Sequence, residues 1–335
     1  MSRHDGSIYI GGTDRAGKTL MSAILSSHPR ISIPAVGSNM WTLFYGRFGD
    51  LQRAENFERC LHAMLAYKHV AYLDPDEHRI RREFPAGPQT YAGLFALIHR
   101  HHAERVGKPR WGDQTGLVEG YADEILGSDP ATLMIHMLRD PRDRYDASLA
   151  LWPEGRLRVG GAVGRWLYSA RLAQENARRH PDRYLVVRYE DLVVDPDAVA
   201  RMVCDFLGED YRPELLELRG MPSYREKLLA QADAATRDGA SPLISQRFVG
   251  SFRGRLPARE LAFLEARAGN AMRHHGYTTE DLALKGIERL RYALVDLPLN
   301  LVRMKVWQLR NAAGRRLPAI AGRRPSARYL VRDVG

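Results

Sequence analysis

A short apolar run, Ile8-Tyr9-Ile10, leads into Gly12-Thr13-Asp14-Arg15-Ala16-Gly17-Lys18-Thr19, and a stretch with Leu20, Ile24 and Leu25 on one helical face follows. These eight residues meet G-x-x-x-x-G-K-[ST] at every fixed position. No other feature constrains the fold as much. A strand must end in a glycine-hinged bend, and a helix must start there, so that backbone N–H groups and a helix N-terminus converge on one point. A multiply charged anion suits that point. Lys18 adds a point charge and Thr19 a hydroxyl. A turn that binds nothing is the simpler alternative, and the four matched positions in the required context weigh against it.

The loop points to phosphate without choosing a reaction, and three further segments narrow the choice. Leu133 to Leu138 reads as a buried strand running into Arg139-Asp140-Pro141-Arg142-Asp143, with Pro141 suited to the first turn of a helix. In open α/β sheets ligands sit beyond the carboxyl ends of strands, which places Arg139 to meet an anion. Tyr184 to Leu192 is a second apolar strand ending in charge plus an aromatic ring, Tyr189. Ser26-Ser27-His28-Pro29 closes the helix after the loop. Each alone also reads as an ordinary surface ion pair or strand cap.

In this order the segments resemble the PAPS-dependent sulfotransferases, over roughly residues 7–277. The family's R-S-G-T-T-L loop corresponds to Arg15-Ala16-Gly17-Lys18-Thr19-Leu20, and its His-Pro to His28-Pro29. Its R-D-P-R-D strand end corresponds to Arg139–Asp143, its Y-E-D-L to Tyr189–Leu192, and the late Phe206-Leu207-Gly208 and His275-Gly276-Tyr277 look like its bacterial members. The resemblance implies a three-layer P-loop NTPase-like α/β fold, with a central, mostly parallel sheet flanked by helices. It implies a site for 3′-phosphoadenosine 5′-phosphosulfate (PAPS) and no metal. The loop from Asp14 to Leu20 would hold the 5′-phosphosulfate, Arg139 and a following Ser the 3′-phosphate, and Tyr189 would lie near the adenine. The implied reaction is in-line transfer of the sulfuryl group to a hydroxyl or amine of a small-molecule, lipid or glycolipid acceptor.

The sequence departs from the family where the chemistry lies. Lys18 stands where most members carry Thr or Ser, and Gln114, in Trp111-Gly112-Asp113-Gln114-Thr115-Gly116, stands where many carry Lys. Lys18 is therefore expected to supply the missing cation, and the loop N–H groups, Arg15, Lys18 and Thr19 to be the main charge-stabilising donors. The family's two general-base positions fall on the acid-free Ile33–Met40 and on Gly116. Asp113, Asp14 and Glu119 remain, with Asp113 first, a helix-capping role being its alternative. An acceptor such as a phenol or acid would need no strong base. The family spacing puts the 3′-phosphate Ser at Ala147, whereas Ser148 is one residue, about 100° of helix, further on. Arg142 and Arg144 are alternatives there. A kinase using Mg-ATP fits the loop but lacks a metal-binding Asp closing an apolar strand. A catalytically weak PAPS- or nucleotide-binding protein fits the missing bases.

Of 335 residues, 1–280 read as the P-loop domain and 281–335 as a basic extension, which carries eight of the chain's ten net positive charges. The rest is near neutral, which argues against nucleic acid. Cys60 and Cys204 read as core fillers in a reducing cytosol, and no signal-peptide or membrane-spanning run is present. Helical spacing is expected over 38–48, 55–67 and 89–105, with Trp41, Phe44, Tyr45 and Phe48 chiefly core, the alternative for some being the acceptor-pocket wall that the resemblance places here. His99, His101 and His102 read as a solvated helix face. In the tail, Ile287, Leu290, Leu294, Leu297, Leu301, Met304 and Trp307 recur at helical steps between Arg and Lys, with Pro298 expected to break or kink the helix. Two outcomes are open for this helix: docking on the protein's own core, or lying on an anionic membrane at the inner face, with Trp307 in lipid.

Overall fold

The structure is a computed structural model and describes residues 6–149, 158–231, 243–280 and 282–316. Its centre is a five-stranded parallel sheet: β1 (Ile8–Gly11), β2 (Ile31–Ser32), β3 (Arg110–Gln114), β4 (Leu133–Leu138) and β5 (Tyr184–Arg188), in the order β2-β3-β1-β4-β5. The principal helices are α1 (Lys18–Ser26), α2 (Ala54–Leu65), α3 (Tyr91–Arg105), α4 (Pro141–Leu149), α5 (Arg158–Arg179), α6 (Pro196–Leu207), α7 (Ala258–His274) and α8 (Leu297–Arg316).

Strand alternation builds the layers. Ile8 and Ile10 of β1 and Leu133, Ile135 and Met137 of β4 point to one face, against α1 and α6. Tyr9 and Met134 point to the other, against Trp41, Phe44, Leu61 and Phe95 of the segment between β2 and β3. Leu138 joins a third cluster with Val163 and Trp166 of α5, Phe263 of α7 and Met304 of α8. After β1 the chain moves outward to β2, returns as β3, then crosses to β4 on the other side of β1. The order therefore reverses around β1, which makes the crevice at its carboxyl end the favoured ligand position.

The aromatics between the loop and β3 are chiefly core, as the spacing suggests, although the helix expected over 38–48 shrinks to Met40–Leu43 before Gly46 and Gly49 turn the chain with positive φ. Cys60 and Cys204 are free and buried. The histidine expectation needs correcting: His99 and His101 are buried, His99 stacked on Trp111 and His101 bonded to Glu83 at 3.0 Å. Ala and Glu neighbours misled because α3 packs on two sides.

The tail does not break at Pro298. A π-helical turn, Tyr292–Asp296, runs without a break into α8, so Pro298 sits inside a continuous helical segment directly after that turn, whose wider hydrogen-bond pattern accommodates the missing N–H. Trp307 is buried against α5 and not presented to lipid. The expected extension runs to residue 335, and 281 and 317–335 lie outside the described residues. None of the described helices is long and apolar enough to cross a membrane.

Candidate functional site

The glycine loop lies at the switch point. Gly12 has φ 116° because the chain passes against β4: a Cβ there would stand 2.2 Å from the Met137 carbonyl oxygen. Gly17, in the left-handed region at φ 96°, caps α1 without any side-chain cap, so the N–H groups of the first turn open onto the crevice. The Tyr189 ring packs on Gly17, and a Cβ there would stand 2.7 Å from its Cδ2. Gly17→Ala is expected to destabilise the protein by about 1–3 kcal/mol in denaturant unfolding. Adding Tyr189→Ala should return the steric part of that loss and leave the backbone part; no recovery would mean the ring is not what confines Gly17.

Four side chains brace the loop. Asp14 Oδ1 accepts from Arg144 (2.6 Å) and Arg165 (2.7 Å), and Arg144 also bonds the Asp14 carbonyl. Burial works against the Asp14 charge, but these two guanidinium groups outweigh it and hold the carboxyl well below the ordinary range. Asp14 is therefore a clamp in the loop. Glu119, completely buried, accepts from the Gly12 N–H at 2.8 Å and from Ser169 at 2.5 Å. Ser169 meets His136 Nε2 at 2.9 Å, and His136 Nδ1 meets the Tyr184 hydroxyl at 2.7 Å. Since Ser169 donates to Glu119, this chain requires the neutral Nε2–H tautomer of His136, whose pKa burial lowers.

Lys18 folds back. Its Nζ donates to the Gly12 (3.1 Å) and Thr13 (2.6 Å) carbonyls and lies 3.9 Å from where a Cβ on Gly116 would be. The stem is partly exposed while the amine end is enclosed, and burial lowers its pKa to about 8; Asp14 and Glu119 pull upward, Arg144 and Arg165 downward. Thr19 donates to Gln114 Oε1 at 3.4 Å, and the Gln114 amide donates to the Ala35 carbonyl at 2.8 Å. Asp113 accepts from the Ser38 N–H (2.9 Å), the Ser38 hydroxyl (2.7 Å) and the Thr115 hydroxyl (2.9 Å). Three donors occupy this buried carboxylate, which ties β3 to the 37–39 turn.

Opposite the loop, Arg139 reaches across from the end of β4. Its Nη1 donates to the Arg15 carbonyl at 3.0 Å, Nη2 to the Phe248 carbonyl at 2.8 Å, and its plane stacks on Tyr189 at 4.4 Å. Its Nε, with Arg144 Nη1 and Asp14 Oδ2, is buried without a partner. Glu190 explains the neighbouring motif residues: it accepts from the Asp140 N–H (2.9 Å) and from Tyr277 (3.0 Å), fixing the end of β4.

Loop and Arg139 enclose a cavity of about 420 Å³, also lined by Ala16's neighbours Arg15 and Gly17, by Thr19, Leu20, Tyr189 and Ala147, and by Tyr224, Ser245, Arg247, Ser251 and Arg255. Ala16 itself is buried beneath it. Ser148 is not on this wall: its hydroxyl donates to the Tyr145 carbonyl of its own helix at 2.7 Å. Nor does Arg142 contribute, being spent on Asp140, Glu265 and the Phe252 ring. Arg247, Ser251 and Arg255 were missed in the sequence. Their signal is Asp143, which accepts from the Gly250 (2.7 Å) and Phe252 (3.0 Å) N–H groups and pins their loop to the cavity. A larger cavity of about 850 Å³, edged by Tyr45, Tyr121, Tyr168 and Trp307, contains no residue of the glycine loop.

A family model described as Sulfotransferase family matches residues 7–213, more than half of the chain. No curated protein matches significantly. Among solved structures, the sulfotransferase domain from the Synechococcus PCC 7002 olefin synthase aligns with TM-score 0.52 at 19% identity, covering 82% of this chain and 96% of that one. Mouse sulfotransferase SULT7A1 complexed with PAP (adenosine 3′,5′-bisphosphate) aligns with TM-score 0.44 at 13% identity, over 80% and 84%. The first likeness shows a shared fold.

Proposed function

Because the chain belongs to the sulfotransferase family, we propose that it moves a sulfuryl group from PAPS to a hydroxyl, releasing PAP. The observation that carries this reading is Arg139, which bonds the Arg15 carbonyl of the glycine loop and lines, together with that loop, a cavity of about 420 Å³. The volume falls in the range of small-molecule sites, about 300–1,000 Å³. An uncapped helix start with a guanidinium beside it is what an anionic nucleotide would satisfy.

PAPS supplies the sulfuryl group, and the chain's residues bind and polarise. The first-turn N–H groups of α1, Arg15, Lys18 and Thr19 face the 5′ end, while Arg139, with Ser251, Arg247 and Arg255, takes the 3′-phosphate. Tyr189, stacked on Arg139, borders the nucleoside. Donors already aimed at developing negative charge make up the catalytic contribution. Lys18 provides the cation that Gln114, its amide engaged by Ala35, does not. Asp113 is given a scaffold role, its oxygens being engaged by Ser38 and Thr115. That leaves the acceptor to ionise readily, which favours a phenol or acidic hydroxyl, on a soluble molecule or on a lipid.

Calorimetry with PAP and with Mg-ATP tests the donor. PAP binding without Mg-ATP binding supports the reading, and the reverse supports a kinase. PAP binding without turnover across a panel of phenols would leave a binding protein. The Lys18 pKa adds a pH expectation. The ammonium attracts the anion, so PAP affinity should hold below pH 8 and weaken as pH rises through about 8. In Lys18→Arg, whose guanidinium stays charged, that decline should vanish.

A further inference from the structure

The tail has two apolar faces, and only one is covered. Asn300, Met304 and Trp307 of α8 seat on α5, where Gly160 and Gly164 allow close approach: a Cβ on Gly160 would stand 2.3 Å from the Asn300 carbonyl oxygen. On the side away from α5, Ile287, Leu290 and Leu294 continue into Val295, Leu299, Val302 and Leu309, at steps of one, three, four and seven. Ile287 is 80% exposed, Leu294 67% and Leu309 68%. These seven make up more than half of the exposed large apolar residues among the described ones. Single exposed apolar side chains need no explanation, but a continuous row does.

Charge says what covers it. The two acids on this segment, Glu288 and Asp296, are both held by Arg259 of α7, at 2.8 Å each. Lys285, Arg289, Arg291, Lys305 and Arg310 form no ion pair among the described residues, and Arg303 bonds only Asn300. Arg291 and Lys305, at three- and four-residue steps from the apolar side chains, lie in the row itself, and the other cations border it, without acids to offset them. A second copy of the segment would bring like charges together, and the covered face on α5 is already satisfied. From this we infer that residues 286–310 dock the protein on an anionic lipid bilayer, with the axis of α8 in the plane of the surface. The apolar row enters the headgroup boundary and the flanking Arg and Lys meet lipid phosphates. The row spans about 33 Å if helical throughout. Trp307, the expected interfacial anchor, plays no part, being buried on α5. This docking stands independently of the donor reading, although it would present the catalytic domain to acceptors carried in a membrane.

The test uses the whole protein and large unilamellar vesicles of phosphatidylcholine, with or without phosphatidylglycerol. The wild type should sediment with the anionic vesicles, less so as salt is added. A triple variant, Leu290→Glu, Leu294→Glu and Leu309→Glu, should stay in the supernatant. A second, Arg291→Gln, Lys305→Gln and Arg310→Gln, should lose the preference for anionic lipid, each removed cation weakening binding roughly fivefold. All six positions face away from the core, so unchanged thermal unfolding and PAP binding show that the fold survives. Wild-type protein that ignores anionic vesicles, or an apolar triple variant that binds as well as wild type, overturns the inference. So does light scattering that shows a wild-type dimer turned monomeric by that variant, which would assign the row to a second copy.

Discussion

Lys18→Ala lowers PAPS turnover by about 10²–10³-fold, the usual cost of removing one preorganised charge-stabilising donor. PAP release is the readout, with water or a phenol as acceptor. Two losses combine. The sulfuryl site loses its cation, and the Gly12 and Thr13 carbonyls, now bonded by Nζ, are left to solvent. The exchange between positions 18 and 114 supplies the control. Gln114→Lys, introduced into Lys18→Ala, places an ammonium beside Thr19, 3.4 Å from the present amide oxygen, and should restore a measurable part of the rate. Since Gln114 also holds the Ala35 carbonyl, the rescue should be incomplete. No recovery at all would show that Lys18 acts as a loop brace and not as the exchanged cation.

Arg139→Ala should weaken PAP by roughly 30- to several thousand-fold, corresponding to about 2–5 kcal/mol for truncating one partner of a buried charged contact. Arg139→Lys should recover little, because a lysine cannot reach the Arg15 and Phe248 carbonyls together while stacking on Tyr189. Calorimetry with PAP is the measurement. Wild-type affinity in Arg139→Ala would mean the side chain serves only to join the loop to Phe248, and the 3′-phosphate assignment would fall.

The glycine loop was legible because its constraint is local: two glycines with four residues between them fix a bend whatever the rest of the chain does. The strand-end Arg139 was legible for a related reason, since an apolar run running into charge marks a carboxyl end in a parallel sheet. What the sequence hid were partners far apart in the chain. Nothing near Asp14 announces Arg144 and Arg165, and nothing near Gly12 announces Glu119. The Asp113 carboxylate looks available in a sequence and is surrounded by Ser38 and Thr115 in space. Ser148 failed by a single helical step, because Pro141 fixes where α4 begins. The tail's periodicity revealed apolar faces but not their allocation, which depends on two glycines of α5 placed to receive Asn300 and Met304.

That helix joins two distant matters. From one flank α5 receives the tail at Gly160 and Gly164; Arg165 grips the loop carboxylate at Asp14, and Ser169 holds the acid beneath Gly12. Within ten residues of one stiff rod, the hinge of the cradle and the mooring of the tail share a single lever arm. A pull strong enough to rotate that rod would loosen the anion seat with no contact to the nucleotide.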